Sequence, residues 1–475
     1  MFSYELLAVV LYLLLLLAIG LFSYRKNLSA ADFIIGNRSM NYWLTALAAH
    51  ASDMSSWLFM AYPASIFLGG LINAWAGIGL IFFMFLNWQF IAPKIRVATE
   101  QYNSLTFSSF FESRLADSSG MIRVFTAIIS LLFYTVYISS ALVGLGILLE
   151  ILFGIDYSIG VLLGTFVVVP YVFIGGFLTL AWIDLFQGFF LLGAVLFVPL
   201  YLITKLGGWD TVINTLKQKH VISSMAPDFS KKTLTTIFFN AFGWGLGYFG
   251  QPHIITKFMG IKNAREIPKS KWIGMSWMTL ALSGATLVGI VAAVYFTEGI
   301  ENPEHVFIDL VKDHFPSFAV GLILCAVLAT TINAMSSQVL VVSSSLTEDF
   351  YKKIFRKKAS SGELLIVSRI GVVFITFLSF VIAYEKISSI YSLVLYAWSG
   401  LGSSFGPLLL LSLYSKKVNK YGAWVGILTG GITAAIWPYF NKFFSIEIPI
   451  ILPAFSLSFV SILIVSYLTQ EKAKE

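Results

Sequence analysis

The sequence is poor in what soluble enzymes work with. It contains one cysteine, Cys325, which excludes an internal disulfide and any multi-cysteine metal site. Its five histidines are scattered. No HExxH, phosphate-cradling GxxxxGK(S/T) or paired-cysteine motif occurs, so no enzyme constellation is present. Only 12% of the 475 residues are charged, against about 25% in an ordinary soluble domain. No polar stretch is long enough to be a soluble catalytic domain. The net charge of +7 is dispersed in short loops rather than gathered in a patch with aromatics, which argues against a nucleic-acid partner.

What is present is apolar: 58% of the residues are hydrophobic, in runs of bilayer-spanning length. The chain reads as an all-α, multi-pass integral membrane protein in contact with lipid. Windows of about 20 apolar residues give thirteen spans, roughly 4–24, 43–70, 75–93, 124–152, 158–177, 182–204, 234–256, 273–297, 318–346, 364–384, 388–414, 421–440 and 446–468. The first follows Glu5 and precedes Arg25 and Lys26, the reverse of a cleaved signal peptide, so it reads as a retained helix. Alternating the spans puts 23 of the 31 basic residues on one side and eight on the other, which predicts an outside N-terminus and a cytoplasmic C-terminus. Of the longer connections, 94–123 reads as an amphipathic helix at the interface, 298–317 as acidic and external, and 347–363 as basic and cytoplasmic.

Two spans are interrupted. The stretch Ala46 to Gly70 carries Asp53 among Ser52, Ser55 and Ser56, with Pro63 ten residues on. A carboxylate at that depth faces a cavity, an ion or a partner rather than lipid. Irregular backbone is tolerated there only where it lines a protein cavity. The stretch FGWGLGYFGQPHI brings Gly243, Gly245, Gly247, Gly250 and Pro252 into a second span. Paired breaks five spans apart suggest two inverted five-helix repeats, about 43–204 and 234–414, around an ion and solute site. Trp244, Tyr248 and Pro252 recur every four residues, a spacing that suits either packing or a small, partly apolar solute. Tyr137 is a weaker candidate of the same kind. The ninth span, CAVLATTINAMSSQVLVVSSSLTEDFY, is rich in hydroxyls and amides, which suit either helix packing or a hard monovalent cation. His50 lies three residues before Asp53 on a similar helical face.

At ALAAHASDMSSWLFM, FIGGFLTLAWIDLFQG, GWGLGYFGQPHI, SSSLTEDFY and KVNKYGAWVG the chain resembles the sodium/solute symporter family, and within it the proline-transporting members. The resemblance implies about thirteen transmembrane helices with a leucine-transporter-like core in one membrane domain, and no enzymatic activity. It implies sodium-coupled uptake of L-proline across the cell membrane, with sodium as co-transported ligand and no cofactor. Residue by residue, it implies that Ala51 and Met54 offer carbonyls to sodium and that Asp53 is needed for sodium-dependent binding. Ser55, Ser56 and Trp57 would lie beside the substrate, and Tyr137, Trp244, Tyr248 and Pro252 would line its pocket. Arg38 and Asp184 match sensitive positions near the cytoplasmic side.

The departures fall near the ion. Asn333 and Ala334 stand where the family has two adjacent hydroxyls, with Thr330 at a carbonyl-donating position. Ser336 and Ser337 lie one turn along. His50 replaces a small residue, and Ser56 replaces a glycine and is expected to narrow the pocket. Three readings follow: sodium coupling with Asn333 as replacement ligand; proton coupling through His50 and Asp53, since histidine titrates near physiological pH; or an uncoupled or receptor-like relative. The substrate is then proline or another small amino acid.

Overall fold

The computed structural model describes residues 4–23, 29–219, 221, 223–296, 299–385 and 388–470. Arg25, Lys26, Lys386 and the C-terminal lysines used in the charge count lie outside them. The helices, in chain order, are α1 (Tyr4–Ser23), α2 (Ala30–Ile35), α3 (Tyr42–Ala51), α4 (Ala61–Gly69), α5 (Ala74–Leu86), α6 (Ala92–Gln101) and α7 (Phe107–Arg114). Then come α8 (Met121–Phe153), α9 (Tyr157–Lys205), α10 (Trp209–Gln218), α11 (Lys231–Gly245), α12 (Pro252–Met259), α13 (Ile267–Tyr295) and α14 (Val306–His314). The chain ends with α15 (Ser317–Ser345), α16 (Ser361–Tyr384), α17 (Ile390–Tyr414), α18 (Lys420–Phe440) and α19 (Ile451–Leu468). Among the described residues the sole β-pairing is an isolated bridge, Met40 to Ile261.

Ten helical stretches among the described residues are long and apolar enough to cross a bilayer. Each of the thirteen expected spans overlaps helix, although 446–450 precede α19, and two of them, 43–70 and 234–256, are broken as anticipated, into α3 with α4 and α11 with α12. The expected pair 158–177 and 182–204 lies in α9, bent at Gly176, whose φ of 66° is one that glycine adopts without a Cβ clash. Burial orders the bundle. The most apolar window of α15 is 83% buried, whereas those of α1, α16, α18 and α19 are between 22% and 33% buried. The first is a central element, and the others present apolar faces that a bilayer would cover.

The connection 94–123 differs from expectation. It forms α6 and α7, and Phe107, Phe110 and Phe111 of α7 are buried, with Phe107 edge-on to Phe405 at 5.9 Å. Three aromatics on one short helix gain more from the protein core than from an interfacial position. A capping box at Thr106 and Ser109 starts this helix.

The segments flanking the two breaks are tied together. Met40 N–H donates to Gly260 O at 3.1 Å, and Lys262 N–H donates to Met40 O at 2.8 Å. Arg38 donates to Thr99 O at 2.8 Å, Ser104 O at 2.9 Å and Met259 O at 3.2 Å, so one guanidinium joins the entry to α3 with the exit from α12. Arg96 adds bonds to Ile261 O and Lys262 O. Elsewhere, Glu304 accepts from the N–H groups of Ile390 and Tyr391 and so caps α17.

In α14, partial burial beside Asp313 raises the Asp309 carboxyl to about 6. The fold therefore retains a proton there that the unfolded chain has released. The contribution is present below about pH 4 and is lost as pH rises through about 6. Asp309→Asn is expected to raise the unfolding temperature of the detergent-solubilised protein more at pH 7.5 than at pH 5. An equal shift at both values would contradict this.

Candidate functional site

The first break begins where α3 stops at Ala51. Ser52 turns its hydroxyl back onto Ala48 O, and Ser55 adopts φ 45°, a conformation L-residues rarely hold. Its side chain accepts from Trp57 N–H at 3.3 Å, and its carbonyl accepts from the Thr330 hydroxyl of α15 at 3.0 Å. Tertiary contacts thus hold the strained residue in place. The second break runs as a 3-10 turn, Leu246–Gly250, then Gln251 in extended geometry, then Pro252 at the first turn of α12, where a missing N–H costs nothing.

Three carbonyls there receive side-chain donors. Trp398 Nε1 donates to Trp244 O at 2.7 Å, Gln251 Nε2 to Gly247 O at 3.2 Å, and Asn87 Nδ2 to Tyr248 O at 3.0 Å. Its glycines act by allowing close approach. A Cβ on Gly245 would lie 2.2 Å from the Phe83 ring, and one on Gly250 would lie 2.6 Å from the backbone of Gly402 and Gly406.

The two breaks meet at Asp53, which is 5% exposed. Tyr248 Oη donates to Asp53 Oδ2 at 2.5 Å. His253 Nε2 stands 3.7 Å from Oδ1. Tyr134 Oη accepts from the His253 backbone N–H at 3.0 Å and lies 3.0 Å from Nδ1. Either atom of that pair can donate, and the contact holds the His253 ring with Nε2 toward Asp53. A hydroxyl of the second break thus donates to the carboxylate of the first, whose Oδ1 has no hydrogen-bond partner within the protein. Beside it is a narrow cavity of about 20 Å³, room for about one water, lined by Asp53, Met54, Trp57, Leu80, Tyr137, Trp244, Tyr248, Val394 and Trp398. Trp57 stacks on Tyr62 at 4.8 Å and leans on Trp244 at 4.9 Å.

Asp53, Met54, Trp57, Tyr137, Trp244 and Tyr248 are thus brought together, while Ser55, Ser56 and Pro252 lie behind the lining. Ser56 does not narrow the cavity. It is fully buried against Gly144, where an added Cβ would lie 2.8 Å from Ser56 Cβ and Oγ. His50 is turned from Asp53: its Nε2 accepts from Trp88 Nε1 at 3.0 Å, and its ring lies against Trp277 and Gly274. On α15, Asn333 is fully buried with neither amide atom bonded within the protein, and the Ser336 and Ser337 hydroxyls are equally without partners. Buried polar atoms of that kind fit a cation, which takes oxygen donors. Asp184 pairs with Lys257 at 3.2 Å, each side chain 2% exposed. Sequence reasoning missed Lys257 by assigning it to a loop. It also missed His253, Tyr134, Asn87 and Trp398. The GQPHI stretch signalled His253, one residue past Pro252; nothing local marks the others.

The Ser56–Gly144 contact is open to a direct test. Gly144→Ala is expected to cost about 1–3 kcal/mol through overpacking. Most of that loss should disappear in a Ser56→Gly background. Thermal unfolding of both single variants and the double variant measures the coupling, and strictly additive losses would remove it.

The sequence matches the sodium:solute symporter family model over residues 33–430. It is 40% identical over 463 residues to the high-affinity proline transporter PutP of Bacillus subtilis, covering 96% of both chains. It is 35% identical over 465 residues to the sodium/proline symporter of Escherichia coli, covering 96% of this chain and 91% of that one. Among solved structures, a Na+-coupled sialic acid symporter in a substrate-bound outward-open state superposes with a TM-score of 0.82 at 18% identity, over 98% of each chain. Mhp1, a nucleobase-cation-symport-1 family transporter, gives a TM-score of 0.55 at 14% identity, covering 94% of this chain and 95% of that one. The fold is therefore the leucine-transporter-like one that the family resemblance implied, and the chain belongs to the sodium:solute symporter family.

Proposed function

We propose that this multi-pass membrane protein, a transporter and not an enzyme, couples sodium entry to the uptake of L-proline or a similarly small amino acid by alternating access. The observation that carries the reading is the meeting of both helix breaks at Asp53, through Tyr248, beside a small aromatic cavity. Near-full-length relatives named as proline transporters support the solute.

In this reading sodium takes the carbonyls of Ala51 and Met54, with Asn333 replacing the lost hydroxyl and Thr330 completing the site. Met54 O accepts one bond, from Leu58 N–H at 3.2 Å, and keeps a lone pair for the ion. The orphaned Asn333 amide supports its part as ligand. Asp53 supplies the charge. Trp57, Tyr137, Trp244 and Tyr248 enclose the solute, while Ser55, Ser56 and Pro252 act from behind by shaping the backbone. Sodium binding completes the site between the breaks and favours the outward-open arrangement. Rocking of one five-helix half, 43–204 or 234–414, against the other then exposes both ligands to the cytoplasm, where low sodium favours release.

Arg38 and the Asp184–Lys257 pair join segments that this motion would separate. His50 serves packing in this account, since its partners are Trp88 and Trp277. A proton-coupled variant would run instead through His253, the histidine that faces Asp53. The charge bias of the connections supports an outside N-terminus and cytoplasmic C-terminus in the cell's inner or plasma membrane.

Radiolabelled proline uptake into proteoliposomes under a sodium gradient, a proton gradient or neither tests the proposal. Sodium alone should drive accumulation. Asp53→Asn should weaken the sodium dependence about ten- to a hundredfold, the worth of a hydrogen bond to a charged group. Full sodium-driven uptake by Asp53→Asn, or uptake driven by protons alone, would overturn it.

A further inference from the structure

The residues expected around the solute come from the two breaks and from α8. The remaining wall comes from Leu80 of α5 and from α17, whose side chains point to what the site selects. We propose that Trp398 is a specificity-determining residue that sets the size of the solute ring admitted between the two breaks; this rests on the small-amino-acid reading above.

Trp398 lines the cavity and is 3% exposed. Its indole is fixed on two sides. Nε1 donates to Trp244 O at 2.7 Å, and the ring stands perpendicular to Tyr248 at 5.0 Å, with an interplanar angle of 89°. Its own carbonyl accepts from Gln251 Nε2 at 3.0 Å, so backbone and side chain both grip the second break. Gly247 makes room for it: a Cβ there would fall 1.9 Å from the indole nitrogen. A side chain held this way does not rotate aside for a larger ligand. Val394, one turn earlier, extends the wall.

The resulting cavity has a carboxylate at one point and aromatic faces around the rest. That chemistry takes a solute with a cationic nitrogen and a compact saturated body, packed against indole and phenol rings. Because Trp398 touches Tyr248, which in turn holds Asp53, the wall that measures the solute also contacts the residue that orients the charge. Selectivity therefore resides on α17 rather than at Ser56.

The test compares proline with piperidine-2-carboxylate, its six-membered homologue, as competing solutes in proteoliposomes. Trp398→Phe shortens the wall and removes the N–H. Val394→Ala enlarges the same wall without touching the Trp244 carbonyl. Both variants should shift the affinity ratio toward the larger ring by about tenfold, the lower end of what one methylene is worth in an apolar pocket. For Val394→Ala the sodium concentration for half-maximal uptake should stay within about twofold of wild type, as expected for a change confined to the solute wall.

An unchanged ratio in folded variants overturns the proposal, as does a fall in kcat with the ratio intact, which would make Trp398 a packing residue only. Should Trp398→Phe not fold, Val394→Ala decides alone. Wild-type uptake separates the two levels of the argument. If the wild type transports no proline, the solute reading fails first. Ligand-induced thermal shifts with a graded series of small amino acids then score the same two variants. Loss of size discrimination there upholds the role of Trp398, and retained discrimination overturns it.

Discussion

A carboxylate buried at the meeting point of two interrupted helices is the constraint on which the rest of this structure depends. Asp53 cannot face lipid, and at 5% exposure it has little water. A hydrogen bond reaches it from across the bundle, from Tyr248, and the His253 ring stands 3.7 Å away. Its Oδ1 has no hydrogen-bond partner within the protein, which leaves that oxygen open to a cation. The site is therefore a relation between two breaks and belongs to neither alone.

Breaking a helix inside a membrane frees backbone groups that must be satisfied within the protein. Here the donors arrive from elements far apart in the chain: Thr330 on α15, Asn87 after α5, and Trp398 on α17. Any displacement of one element is felt by the carbonyls of another. The physical basis of coupled movement is thus present in the polar contacts, and the aromatic stacks around Trp57 and Trp244 add shape to it.

A second theme is the pairing of small with large. Gly144 admits Ser56, Gly247 admits Trp398, and Gly245 admits Phe83. Read along one strand of sequence, these glycines suggest unwinding. In three dimensions most of them are places where another helix comes close, and the density of glycine in the second break reflects how tightly α5 and α17 pack upon it.

Much of this was legible beforehand. Long apolar runs give the membrane helices, because a bilayer leaves few alternatives for twenty apolar residues. Asp53, with Ser and Pro about it, and the Gly-rich GWGLGYFGQPHI stretch locate both breaks, since local chemistry governs where a helix stops. Trp57, Tyr137, Trp244 and Tyr248 were readable from spacing and family resemblance. Which way a side chain points was not.

His50 and Asp53 share a helical periodicity only while the helix lasts, and the chain turns at Ala51, so His50 meets Trp88 and His253 takes the place beside Asp53. Ser56 turned to Gly144, ninety residues on, for the same reason. Trp398 looks like packing in an apolar run until α17 is laid against the second break. Sequence by itself determined the medium, the helices and their two interruptions, which follow from local composition. Only the tertiary structure decided which side chains face the carboxylate and which line the cavity beside it, because those contacts join residues that no local periodicity relates.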